Sequence, residues 1–191
     1  MNLNNLNNLI ELFANQANKQ NKKDTFLEWL NPNNKITYTW EQTEKNILKL
    51  SKVITENIKE GDRCLLVSEN RPEWFISDLA IMVAGGITVP AYTTYTHNDY
   101  KYLIEDCKPS LVVVSNNEML KKLNHSINEN NFIKKVITLD KIDKVINNLN
   151  LINKEKYLNF NSIIKNNLLV EEKIENNKLK RNSPVSTGLG T

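Results

Sequence analysis

The sequence is poor in the residues that mark several specialised classes of protein. It has two cysteines, five glycines and five prolines in 191 residues, which excludes a collagen-like or linker-dominated chain. No apolar run approaches the roughly 18 residues that a membrane-spanning helix requires. Residues 1–10 alternate asparagine and leucine, with neither a basic start nor an apolar run, so they do not predict a secretory signal.

The spacing of the cysteines and the net charge exclude further classes of protein. Neither Cys64 nor Cys107 has another cysteine or a histidine at metal-ligand spacing, and both belong to apolar patterns. We interpret them as reduced core residues of a cytoplasmic protein, and leave docking on a membrane surface open. The formal net charge of +3 is too small to predict nucleic acid or an anionic membrane as the main partner. The 32 asparagines are attributed to compositional bias.

Short apolar runs alternate with amphipathic segments, which predicts an α/β fold with a parallel sheet flanked by helices. The expected strands lie at 63–68, 87–92, 111–114 and 135–139. Nearer the N-terminus, a helix within 4–19 precedes two β-prone runs, 24–30 and 35–39, around a turn cluster, which predicts a β-hairpin.

The sequence signals that mark the starts and ends of helices differ in strength along the chain. Thr39 and Gln42 have the spacing of a capping box, so we expect a helix that starts at Thr39 and ends at Gly61. Residues 119–128 are only weakly helical. Beyond Asp140 the periodicity fades, although 168–180 is compatible with one solvated helix.

Little in the sequence predicts catalysis directly. His97 and His125 have no partner carboxylate or cysteine at a fixed spacing, so we interpret them as surface or capping residues. Four helical carboxylates are interpreted as solvated charges: Asp78, Asp99, Glu105 and Asp106. No group of residues has the spacing of metal ligands.

Two segments have the form of ligand-binding turns. Residues 68–74 fall where a strand meets a helix, the place where open α/β sheets bind ligands. Turn geometry alone also explains their asparagine and proline, and both interpretations stay open. Residues 186–191 form a Gly/Ser/Thr cluster of phosphate-loop type. They lack a lysine and a following helix, so we interpret them as a frayed terminus.

Several strings occur in order along the chain: TYTW at 37–40, GDR at 61–63, SENRPEW at 68–74, DLAI at 78–81, AGG at 84–86, VPAYTT at 89–94, YLIEDC at 102–107 and VVSN at 113–116. Together they resemble the N-terminal region of long-chain fatty acid–CoA ligases, which belong to the AMP-forming acyl-adenylating superfamily. The resemblance covers 25–120 densely and 1–182 loosely. It implies a partial AMP-binding N-terminal domain at 1–182, which contains the first subdomain of that fold. Residues 183–191 have no apolar pattern, and we expect them to form a disordered tail.

The resemblance also implies a chemistry for the intact family. A fatty acid reacts with ATP to form an acyl-adenylate and pyrophosphate, and coenzyme A then takes the acyl group, with Mg²⁺ neutralising phosphate charge. The phosphate loop of the family, YTSGTTGxPKG, has only a partial counterpart in 185–191. The downstream adenine, Mg²⁺ and lid-lysine segments have no counterpart. We therefore predict no catalytic, cofactor-binding or metal-binding residue here, and expect neither ATP, Mg²⁺ nor CoA to bind tightly to this chain alone.

Three interpretations of the chain follow. The favoured one is a truncated ligase, a gene fragment or frameshifted copy, that is inactive alone. The alternatives are a stand-alone binding or interaction module without catalysis, and one half of a split ligase completed by a second polypeptide. Acyl chain length and oligomeric state are not predicted.

Overall fold

The computed structural model describes residues 8–31, 34–141 and 154–166. The helix predicted at 168–180, the tail at 183–191 and the cluster at 186–191 lie outside these residues. The described elements are α1 Leu9–Ala17, β1 Thr25–Asn31, β2 Asn34–Thr39, α2 Trp40–Thr55, β3 Arg63–Val67, α3 Pro72–Val83, β4 Ile87–Ala91, α4 His97–Cys107, β5 Leu111–Val114, α5 Asn117–Glu129, β6 Lys135–Thr138, β7 Tyr157–Asn159 and α6 Phe160–Lys165.

The strands form two sheets. Strands β1 and β2 pair antiparallel as a hairpin, and five parallel strands form a second sheet in the order β4-β3-β5-β6-β7. The α/β fold, the parallel sheet and the hairpin predicted from the sequence are confirmed.

Side chains of the central strands alternate between two hydrophobic cores. On one face, Cys64 and Leu66 of β3 pack with α1, α2, α3 and α6. On the other face, Leu65 and Val67 pack with α4 and α5. All four side chains are fully buried, because a strand covered on both faces has no solvent-facing side.

Helix α2 starts as predicted but ends early. The Thr39 hydroxyl accepts a hydrogen bond from the Gln42 N–H at 3.2 Å, and the Gln42 carboxamide accepts one from the Thr39 N–H at 2.9 Å. The helix ends at Thr55, so the end predicted at Gly61 is wrong. Gly61 lies in the following loop with a φ of 80°, and its N–H donates to the Gly85 carbonyl.

The structure differs from the sequence predictions at two further places, both in the second half of the chain. Helix α5 is a full helix of 13 residues, because the Asn116 side chain accepts from the N–H groups of Glu118 and Met119. Strand β7 and helix α6 lie in the region where the periodicity fades. Strand β7 has only three residues and acquires its structure by pairing with β6, which short-range periodicity does not encode.

Gly86, in the turn from α3 to β4, has no room for a side chain. A Cβ atom there would lie 2.9 Å from Ile58 Cδ1 and 3.0 Å from Ile81 Cγ2. We expect Gly86→Ala to lower the free energy of unfolding by about 1–3 kcal/mol, measured by urea denaturation. The cost should shrink in an Ile58→Val background, which removes the Cδ1 atom. An equal cost in both backgrounds would contradict this contact.

Both cysteines are free thiols buried in the cores, as predicted. Burial, with a smaller contribution from the Asp62 carboxylate, raises the pKa of the Cys64 thiol to about 12. Because the thiolate is the reactive form, we expect the folded chain to resist an aromatic disulfide reagent at pH 8, while the chain in urea releases two equivalents of thiolate. A Cys107→Ser variant isolates the Cys64 signal. Rapid labelling of that variant when folded would overturn the prediction.

Candidate functional site

The order of the strands creates a topological switch point at the carboxyl edge of the parallel sheet. The chain leaves β3 through α3 to reach β4, and leaves β4 through α4 to reach β5 on the other side of β3. Helix α3, which follows β3, packs on one face of the sheet, and helix α5, which follows β5, packs on the other face. The turns after β3 and β5 therefore diverge at a topological switch point, where open α/β sheets bind ligands. Residues 68–74 lie at this edge, as predicted.

The turns after β3 and β5 are joined by a polar contact. The Asn116 carboxamide donates a hydrogen bond to a Glu69 carboxylate oxygen at 2.9 Å. The Ser68 hydroxyl donates to the Glu69 carbonyl at 3.0 Å. Since the Asn116 oxygen also caps α5, its side chain fixes the start of α5 against the β3–α3 turn.

A second polar cluster is centred on Arg71, the residue that precedes α3. Its Nε donates to a Glu73 carboxylate oxygen at 2.8 Å, and its Nη1 donates to Asp140 at 2.9 Å. The Arg71 and Glu73 side chains are only 8% and 6% exposed, whereas Asp140 is 47% exposed. Burial alone would lower the pKa of Arg71, but the hydrogen bonds and charges of Glu73 and Asp140 outweigh it and raise that pKa.

The same cluster holds the β-hairpin. The Tyr38 hydroxyl of β2 donates to the second Glu73 oxygen at 3.1 Å, and the Arg71 guanidinium carbon lies 5.0 Å from the Trp29 ring centroid of β1. Burial, reinforced by the Glu73 carboxylate, raises the pKa of Tyr38, so its hydroxyl stays a donor. Sequence reasoning missed this cluster, because its members are brought together only by the tertiary fold.

Asn159 closes the edge at β7. Its Nδ2 donates to the backbone carbonyls of Thr138 and Asp140 at 3.2 and 2.9 Å, and its oxygen accepts from the Ser162 N–H to cap α6. The polar residues at the carboxyl edge thus bond to one another, to strand ends and to helix starts.

The other sequence candidates do not converge on this edge. His97 and His125 are exposed, and their nearest partners are the Lys122 carbonyl at 2.7 Å and the Glu129 carboxylate at 3.3 Å. A carboxylate oxygen of Asp99 accepts a hydrogen bond from the Thr96 N–H and so caps the start of α4. A carboxylate oxygen of Glu105 lies 3.9 Å from the ammonium nitrogen of Lys101. Asp106 is exposed.

The surroundings of Asp78 differ from those of the solvated charge that the sequence predicts. It is only partly exposed on α3, and burial raises the pKa of its carboxyl. Across the described ranges, no group of three or more His, Cys, Asp or Glu side chains is arranged to hold a metal ion. Nor does any helix in those ranges combine the length and apolar character needed to cross a membrane.

Comparison with known sequences assigns the family. A profile described as "AMP-binding enzyme" matches residues 13–185. The chain belongs to the AMP-binding enzyme family. Its similar relatives include the long-chain-fatty-acid–CoA ligase ACSBG1 of Rattus norvegicus, 37% identical over 79 residues, which is 41% of this chain and 10% of that protein. The mitochondrial acyl-coenzyme A synthetase ACSM5 of Rattus norvegicus is 27% identical over 90 residues, 46% of this chain and 16% of that protein.

Solved structures of other proteins share the fold. The anthranilate CoA ligase AuaEII, in complex with anthranoyl-AMP, superposes with a TM-score of 0.67 at 18% identity, over 86% of this chain and 29% of that one. The coronafacic acid ligase of Pectobacterium brasiliense, as an R395G mutant, gives a TM-score of 0.67 over 81% and 28%. Our chain therefore matches under a third of the solved chains and about a sixth or less of the curated relatives.

The buried Arg71–Glu73 pair generates a stability prediction. Arg71→Met leaves the buried Glu73 carboxylate without its cation, so we expect a loss of about 3–5 kcal/mol in the free energy of unfolding, measured in urea. Adding Glu73→Gln should recover part of it, because the carboxamide is neutral and still accepts from Tyr38. Lys45→Met is the control, since it breaks the exposed Lys45–Glu41 pair. Equal losses for the control and Arg71→Met would refute the prediction.

Proposed function

We propose that this chain is the first N-terminal subdomain of an ATP-dependent fatty acid–CoA ligase that acts in fatty acid and lipid metabolism. The family match over residues 13–185 carries the proposal. We place the partial AMP-binding domain at 1–182. The identity of 37% over 79 residues to a long-chain-fatty-acid–CoA ligase supports long-chain fatty acids as the substrates.

The proposed reaction has two steps. A carboxylate oxygen of the fatty acid attacks the α-phosphorus of ATP, the bond to the bridging oxygen breaks, and pyrophosphate leaves the acyl-adenylate. The thiolate of coenzyme A then attacks the acyl carbonyl carbon, and AMP leaves. Mg²⁺ supplies charge neutralisation on the phosphates.

The described residues do not fit a site for Mg²⁺ or ATP phosphates. They contain no group of three or more metal-ligating side chains, and the guanidinium of Arg71, which lies at the carboxyl edge, is already paired with Glu73 and Asp140. We assign no catalytic, cofactor or metal residue to this chain. Its proposed role is to fold the sheet and hairpin against which the ATP- and CoA-binding segments of a ligase assemble.

We also propose a cytoplasmic location. Two buried free thiols suit a reducing compartment, and the mitochondrial relatives make the mitochondrial fraction the comparison in a fractionation experiment. Recovery of the protein in that fraction would contradict the cytoplasmic assignment.

The activity is tested on the longest open reading frame that contains these 191 residues. We expect it to release pyrophosphate with ATP and hexadecanoate, at a higher kcat/KM than with butanoate or anthranilate, whereas the 191-residue chain alone releases none. Faster turnover of butanoate or anthranilate would overturn the long-chain assignment.

The same experiment separates the other interpretations. Activity only after mixing with a second polypeptide would establish a split ligase. A flanking sequence without ligase segments, and no pyrophosphate release, would favour a stand-alone binding module. Either result would replace our proposal.

A further inference from the structure

A groove of about 470 Å³ lies away from the carboxyl-edge site. It is bounded by the second half of α2, the first residue of β6, the middle of β7 and the end of α6. Lys135, the first residue of β6, lies at the amino end of that strand. The residues that line the groove include none of the polar residues described above at the carboxyl edge. Its volume is within the range of about 300–1,000 Å³ typical of small-molecule sites.

The groove combines an apolar wall with positive charge. Val53, Leu158 and Ile163 contribute apolar side chains, of which Ile163 is buried and the other two partly buried. Three lysines share the lining, Lys49, Lys52 and Lys135. Glu56 is the one carboxylate among the lining residues, so the groove carries an excess of positive charge.

Two of the ammonium groups are held in place without being neutralised. Lys49 Nζ donates to the Ile164 carbonyl at 2.6 Å, and Lys135 Nζ donates to the Glu155 carbonyl at 2.7 Å. An ammonium group has three donors, so each keeps N–H groups for a ligand. Among the residues that the structure describes, no carboxylate lies within 4.0 Å of the ammonium group of Lys49, Lys52 or Lys135.

We propose that this groove binds an amphipathic anion, an alkyl chain that ends in one carboxylate or phosphate group. The alkyl chain lies against Val53, Leu158 and Ile163, together with the methylene stems of the lysines. The anionic head accepts hydrogen bonds from the lysine ammonium groups. This inference goes beyond the proposed ligase reaction, because the groove needs neither ATP nor CoA and exists in this chain alone.

The test is calorimetric titration of the full 191-residue chain with dodecanoate below its micellar concentration. We expect one saturable site, and no comparable binding of dodecyltrimethylammonium, which has the same chain and the opposite charge. Acetate should bind far more weakly, because it lacks the apolar chain. Dodecyl phosphate, titrated in parallel, distinguishes a phosphate head from a carboxylate head by its relative affinity.

Variants that change the charge of a single lysine test whether the anion binds in this groove. Lys52→Glu should weaken dodecanoate binding about tenfold or more, the order expected for reversing one charge at a partly exposed site, and Lys52→Gln should weaken it less. Lys121→Glu is the matched control, since Lys121 is an exposed lysine of α5, a helix on the opposite face of the sheet. Thermal unfolding verifies that each variant folds. No saturable binding by the parent chain, equal binding of the cationic amphiphile, or equal losses in Lys52→Glu and Lys121→Glu would each overturn the proposal.

Discussion

The burial of β3 on both faces is the constraint on which the rest of the structure depends. Residues 64–67 of this strand are inaccessible to solvent, and their side chains alternate between the two cores. Such a strand is stable only between two layers of helices. The chain that leaves β3 runs on one face through α3, and the chain that leaves the neighbouring β5 runs on the other face through α5. This arrangement creates the switch point at the carboxyl ends of β3 and β5, where the polar residues gather.

The Arg71 cluster shows how a buried charge serves the geometry of the fold. Removing a guanidinium and a carboxylate from water costs several kcal/mol per ion, and their attraction repays this only with good hydrogen-bond geometry. Here Glu73 accepts from both Arg71 and Tyr38, while Trp29 lies near the guanidinium. We interpret the cluster as a device that fixes one orientation of the hairpin on α3, since a rotated hairpin would leave the Glu73 carboxylate buried with fewer partners.

Local patterns predicted most of this fold, and the failures have physical causes. The runs that end β3 and make up β5 are apolar at every position, so the sequence predicted their burial. The spacing of Thr39 and Gln42 likewise predicted the reciprocal cap of α2. Strand β7 escaped prediction because three residues carry too little periodicity and their structure comes from pairing with β6. Residues 68–74 were identified because open α/β sheets bind ligands at the carboxyl ends of their strands. The ion pair of Arg71 with Asp140, however, joins residues 69 positions apart, and no local pattern encodes it.

The polar edge of the sheet also bears on the role that we propose for this chain. Glu69 is bonded to Asn116, Arg71 to Glu73 and Asp140, and Asn159 to two strand-end carbonyls. A group already engaged in holding a turn must break those bonds before it can bind a phosphate, which raises the free-energy cost of recruiting it for catalysis. By contrast, groups preorganised toward a reacting centre provide most electrostatic catalysis. The edge therefore suits a scaffold, which supports the proposal that this chain positions other segments of a ligase and does not itself carry the transfer chemistry.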